Sequence, residues 1–153
     1  MPTRSSFEPA AIRSILPYMV IHELVAPEQI TIRLAGTSVS QEYGEEVTGR
    51  NYLDFVPAER RAKASRAIFL VCEQPAGMLV RLRSVSREGK AMKRESLAFP
   101  IRDDDGQARF VYFCASPTGE QQFSEAPREE LEVAVASERR FLDIGAGLPD
   151  FSD

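Results

Sequence analysis

RLAGTSVSQEYGEEVTGRNYLDFV, residues 33–56, carries three glycines at points where elements of structure should begin and end. Gly36 closes an alternating run. Thr37 then predicts a one- to two-turn helix through Tyr43, its hydroxyl accepting an orphan backbone N–H at the helix start. Gly44 suits a left-handed C-terminal cap. Glu45 to Thr48 reads as a second short helical turn, and Gly49 reverses the chain again.

Upstream, Phe7 to Leu16 predicts a short N-terminal helix, with Pro9 near its start and Pro17 ending it. Tyr18 to Val25 and Gln29 to Ala35 read as antiparallel strands joined by the turn Ala26-Pro27-Glu28. In the second, Ile30, Ile32 and Leu34 share one face, as period-two alternation requires. Downstream, Pro57 to Gln74 predicts the longest helix, stopped by Pro75 and Gly77. Ala58, Ala62, Ser65, Phe69 and Cys72 form its apolar face.

Three strands follow. Met78, Val80 and Leu82 alternate with Leu79, Arg81 and Arg83, Arg87-Glu88-Gly89-Lys90 turns the chain, and Lys90 to Ile101 returns. Asp103-Asp104-Asp105-Gly106 is a strong hairpin signal, since Asp-Gly tolerates positive φ, and Arg109 to Ala115 completes the sheet. The reading is α+β: a five-stranded antiparallel sheet with short helices and one long helix on one face. Arg128 to Leu142, acidic early and basic late, predicts a final helix with a thin stripe of Leu131, Ala134, Val135 and Leu142. Gly145 to Asp153 reads as loose. Residues 1–16 thus form an N-terminal flanking helix, 17–117 the domain, and 118–153 a C-terminal helix and flexible tail.

Composition bounds the function. At 153 residues, 43% hydrophobic and 27% charged, the chain fits one globular domain with extra at its ends. A net charge of −4 argues against nucleic acid as the main partner, because phosphate binding needs concentrated basic surface. No apolar run approaches the roughly 20 residues that span a bilayer, and the N-terminus lacks the apolar core of a signal peptide. Cys72 and Cys114, far apart, read as small buried hydrophobes in a reducing cytoplasm.

Arg33-Leu34-Ala35-Gly36-Thr37, the segment from Tyr43 to Arg50, and Phe99-Pro100-Ile101 together resemble a PAS domain, over about Leu16 to Ser116. The middle element is similar to the glycine–acid–apolar–glycine pattern joining the small helices of such domains. The resemblance implies a bacterial single-domain protein that senses, dimerises and docks partners. It also implies a cavity between helices and sheet surrounded by Tyr43, Tyr52, Phe55, Phe69, Cys72, Leu82, Phe99 and Phe113, where a small apolar ligand meets tyrosine hydroxyls.

Cofactor chemistry finds little support in the residues. The long helix has no histidine for heme, and the single histidine, His22, falls in the first strand, where a hydrogen-bonded role is expected. The cysteine-bearing helix segment of light-sensing flavin domains is absent. Three Cys and His residues in all are too few for structural zinc, and a calcium loop begun at Asp103 would place Cys114 at its glutamate position. No phosphate-cradling glycine loop and no Ser-His-acid arrangement occurs. Arg81 and Arg83, on one strand face, suggest either a solvated surface or a docking patch for an acidic partner.

These readings converge on a cytoplasmic, non-catalytic regulator acting through protein contact. The expected assembly is a homodimer, the expected partner a histidine kinase or response regulator, and no cofactor or membrane insertion is expected. A constitutive adaptor with a side-chain-filled pocket is the first alternative, and a small-molecule enzyme using the cavity the second.

Overall fold

The computed structural model describes residues 1–6, 8–86, 91–118 and 131–152. Its core is one antiparallel sheet of six strands: β1 (Met19–Ala26), β2 (Gln29–Ala35), β3 (Ala76–Ser86), β4 (Ala91–Arg102), β5 (Ala108–Thr118) and β6 (Leu131–Asp143). They lie in the order β2-β1-β5-β4-β3-β6. Helix α1 (Thr37–Tyr43), the segment 45–57 and helix α2 (Arg61–Glu73) lie on the inner face. The fold is α+β, as the alternation and turn signals imply.

Local chemistry sets the helical block. Gly44 adopts φ 69° and caps α1 as expected, its N–H reaching Gln41 O. Gly36, not Thr37, takes the N-cap position, and no side chain caps this helix. A Cβ at Gly36 would stand 2.3 Å from Leu16 O and 2.4 Å from Pro17 O, so only glycine lets the strand end pass this close. Glu45 to Thr48 is not helical. It leads instead to a strap along the edge strand β2, where Ile32 N donates to Arg50 O at 2.9 Å and Gly49 N to Ile32 O at 2.7 Å. Asn51 completes the strap. Its Oδ1 accepts from Ile30 N at 3.0 Å and Leu53 N at 3.2 Å, and its Nδ2 donates to Glu28 O at 2.9 Å. Backbone groups that an edge strand would leave open are thereby satisfied.

Helix α2 begins after a 3-10 turn at Ala58–Arg60. It packs across β5, β4 and β3 and buries Ala64, Ala67, Ile68, Val71 and Cys72. Its buried face is therefore rotated from the sequence reading, and Ala58 and Ala62 are exposed. On the opposite sheet face, Met19, Ile101, Phe110 and Tyr112 form a second cluster, covered in part by Ile12 and Leu16.

The ends of the chain depart most from expectation. The N-terminal helix is replaced by 3-10 turns at Arg4–Ser6, Pro9–Ile12 and Leu16–Tyr18. Phe7 lies outside the described residues. The expected helix from Arg128 is, from Leu131, strand β6, paired antiparallel with β3 from Ala76↔Asp143 onward; Arg128 to Glu130 are outside the described residues. Tertiary pairing overrides local helix preference here, because β3 would otherwise present an open row of backbone donors and acceptors. Nor is the terminal segment loose. Asp143 Oδ1 accepts from Gly145 N and Gly147 N, Gln74 Nε2 donates to Ala146 O at 3.1 Å, and Phe151 packs edge-on against Phe141.

Strand β6 carries a bulge where Arg81↔Glu138 is followed by Leu82↔Ala136, leaving Ser137 unpaired to donate through Oγ to Arg81 O at 3.1 Å. The extra residue resets the alternation, so that Ala136 and Arg139 both face inward. Because β6 completes the sheet, a chain ended at Thr118 should lose stability by several kcal/mol. Urea denaturation followed by circular dichroism tests this, and an unchanged midpoint would show β6 to be dispensable.

Candidate functional site

Between the sheet's inner face and the helical block lies a cavity of about 610 Å³. Every strand reaches its wall: His22 from β1, Ile32 from β2, Met78 and Val80 from β3, Arg94 and Ser96 from β4, Phe113 and Ala115 from β5, and Ala136 and Arg139 from β6. Val39, Glu42 and Tyr43 come from α1, Ala64 and Ile68 from α2, and Tyr52 and Phe55 from the intervening segment.

Five sequence-predicted residues, Tyr43, Tyr52, Phe55, Leu82 and Phe113, meet at this cavity. Three do not. Phe99 sits on the outer face, 41% exposed, because Ala98 and Pro100 point inward and strand parity turns it away. Phe69 packs against the core cluster instead. Cys72 is buried and donates through Sγ to Phe110 O at 3.6 Å. Burial pushes its thiol up to about 12, with Glu73 adding to the effect, so it is not a poised nucleophile. Cys114 belongs to the outer cluster. Neither thiol reaches the cavity wall, so the wall does not fit cysteine-adduct flavin chemistry.

Sequence reading missed the polar half of the wall. Arg94 of β4 and Glu42 of α1 form an ion pair whose side chains are only 10% and 15% exposed, tying the first helix to the middle of the sheet. The signal was parity, since Arg94 shares a strand face with Ser96 and Ala98. Arg139 escaped because it was placed on a helix. Arg81, offered as a docking residue, binds Glu95 at 2.8 Å and Glu138 at 2.7 Å on the outer face, so its charge is neutralised locally.

His22 is also corrected. Instead of a hydrogen-bonded strand histidine, it is a buried ring between Tyr52, centroids 4.7 Å apart, and Phe113 at 5.0 Å. Its Nδ1 has no hydrogen-bond partner among the described residues. Desolvation holds its pKa down to about 3, so it is neutral at physiological pH. Burial raises the Tyr43 and Tyr52 hydroxyls above their usual range; Tyr52 adds to the effect on Tyr43, and Arg139 partly offsets that on Tyr52. Both therefore remain O–H donors. Tyr43 keeps 36% of its surface exposed at the rim and packs edge-on against Phe55. The Arg50 guanidinium stacks on Phe55 at 4.7 Å.

An antiparallel sheet cupping a cavity under short helices is the architecture of a PAS domain. The chain belongs to the PAS domain family, whose model matches residues 1–113. Solved structures agree on the fold. A light-oxygen-voltage domain studied with a flavin analogue is 19% identical at a TM-score of 0.53, covering 72% of this chain and 84% of that one. A Vibrio cholera VqmA–ligand–DNA complex is 16% identical at 0.55, covering 74% of this chain and 52% of that one. The Rhodobacter sphaeroides light-oxygen-voltage protein is 14% identical at 0.50, covering 75% and 70%. No curated protein matches the chain in sequence. Among the described residues no helix is long and apolar enough to cross a membrane, and no cluster of acidic, histidine and cysteine side chains is placed to hold a metal.

The buried histidine gives a pH signature of known sign. Its folded-state pKa lies below the unfolded value of 6.5, so the unfolded chain takes up a proton first as pH falls. Stability is full above pH 6.5 and declines between there and about 3, by up to about 1.4 kcal/mol per pH unit. Since His22 is the only histidine, His22→Phe should flatten the fall in melting temperature between pH 7 and 5. An identical slope in the variant would place the dependence elsewhere.

Proposed function

We propose that this PAS domain is a non-catalytic sensory regulator that signals through protein contact and is gated by a small molecule held in the cavity. The cavity itself carries this reading. Its volume falls within the roughly 300–1,000 Å³ range of small-molecule sites, and its wall joins α1, α2 and all six strands. A ligand there touches most of what could move. The neutral buried His22 and the high-pKa Cys72 offer no poised acid–base pair or nucleophile, which supports a regulator over an enzyme. A histidine kinase or response regulator is the partner class we favour, in a bacterial cytoplasm.

The outer face supports the homodimer reading. Leu97 and Phe99 are 40% and 41% exposed on β4, beside the ion-paired Arg81–Glu95–Glu138 group. Association would remove this apolar surface from water.

Two outcomes are expected. In a thermal-shift screen of small amphipathic compounds, binders should raise the melting temperature by linkage to the folded state. Ala115→Leu, which places three extra carbons in the wall, should abolish the shift while retaining the circular dichroism spectrum; binding that survives it would place the site elsewhere. In sedimentation, the protein should be dimeric at tens of micromolar and the Leu97→Glu/Phe99→Glu variant monomeric. A monomeric parent protein would remove the dimer reading.

A further inference from the structure

We propose that the cavity selects an uncharged hydroxyl-bearing molecule, an alcohol or phenol on an apolar body, and that His22 is the residue that bonds its hydroxyl. The inference rests on the cavity reading above and names the class of ligand.

An unmet hydrogen-bonding group in the wall carries it. His22 lines the cavity and is 5% exposed, yet its Nδ1 has no partner among the described residues. Buried hydroxyls of the same layer are satisfied within the protein. Ser96, also in the wall, donates through Oγ to Cys114 O at 3.3 Å, and Ser65 of α2 donates to Pro27 O at 2.6 Å. Buried polar atoms without a partner are few in folded proteins, and each costs stability that an apolar side chain in its place would not.

The groups against the ring are aliphatic and aromatic. Its cross-strand neighbours are Ile32 on β2 and Val111 on β5, both buried. The rings of Tyr52 and Phe113 stand at 4.7 and 5.0 Å. These contacts confine the imidazole without fixing which edge faces inward, because the outer torsion of histidine is roughly two-fold and no bond to Nδ1 locks it. A half-turn exchanges Nδ1 with Cδ2 and leaves β1 where it is.

Hydrogen-bonding chemistry selects the class. Burial holds the ring's pKa down to about 3, so it is neutral, with one N–H donor and one acceptor nitrogen. A hydroxyl both donates and accepts and so pairs with either tautomer. A carboxylate only accepts and an ammonium only donates, and each would give up its water for a partner without charge, which is costly. A hydrocarbon offers the ring nothing. The hydroxyl completes the wall at His22, while the apolar body lies against the aliphatic and aromatic side chains around it.

The test is a binding cycle on the full chain, read by isothermal titration calorimetry. Its ligands are 4-ethylphenol and 1-ethyl-4-fluorobenzene, nearly equal in size, and its proteins are the parent and His22→Phe. The phenol-to-fluoroarene affinity ratio should fall about tenfold in His22→Phe, the worth of one hydrogen bond. His22→Asn, which keeps polar atoms near the Nδ1 position, should restore part of it, and 4-ethylbenzoate should bind the parent more weakly than the phenol does. A second readout needs no variant. Because His22 is the only histidine, nitrogen-labelled histidine gives a long-range proton–nitrogen spectrum of a single ring. Its nitrogen resonances should shift with 4-ethylphenol and hold still with the fluoroarene, whose ring currents are similar. An unchanged ratio in His22→Phe, tighter binding of the benzoate, or nitrogen resonances indifferent to the phenol would each overturn the proposal and leave the cavity reading standing. Binding of neither probe would remove both. Should His22→Phe not fold, the nitrogen spectrum of the parent protein decides alone.

Discussion

Helix α2, with 13 residues, is about 20 Å long and roughly 10 Å wide, whereas six strands about 4.8 Å apart make a sheet some 24 Å across. One such helix cannot cover that face. It lies across β5, β4 and β3, and the rest of the inner face needs another roof. Helix α1 and the segment 45–57 supply it, but neither is long enough to interdigitate deeply with strands beneath. The cavity is the space left when short elements bridge a surface they cannot fill.

Such a roof needs tethers. On the β2 side the tether is backbone chemistry, with Asn51, Gly49 and Arg50 bonded to Ile30 and Ile32 along the strand edge. On the β4 side it is the Arg94–Glu42 ion pair. A buried pair of this kind gains little net stability over an apolar contact, yet losing one partner strands the other charge. It thus specifies where α1 sits more than how firmly. The pair thus joins the cavity wall to both the helical roof and the sheet.

What could be read from sequence follows the range of the forces involved. The α1 helix with its Gly44 cap, the Asp103–Gly106 hairpin and the course of α2 depend on residues close in sequence, and each was legible. Strand β6 was not. Its acids-then-bases order suits a helix dipole, while its real determinant, the open edge of β3, lies some 50 residues away. The same distinction runs through the cavity. Tyr43, Tyr52 and Phe55 are fixed by the helical block and Phe113 by simple alternation, and all four were found. Phe99 failed by one step of strand parity, and Phe69 and Cys72 by a modest rotation of α2. The wall's charges were hidden for different reasons. Arg94 obeys a parity that could have been counted. Arg139 depends on the Ser137 bulge, which no local pattern announces.

The chain contains no tryptophan and four tyrosines. Tyr18, Tyr43 and Tyr52 line the cavity, while Tyr112 lies across the sheet beneath the N-terminal turns. Ultraviolet emission from this protein is therefore tyrosine emission, and three of its four sources border one interior space. An occupant that quenches, or that alters a hydroxyl's hydrogen bonding, dims or brightens most of the signal at once, with Tyr112 as the internal background. The molecule carries its own optical gauge of cavity occupancy, with no label attached.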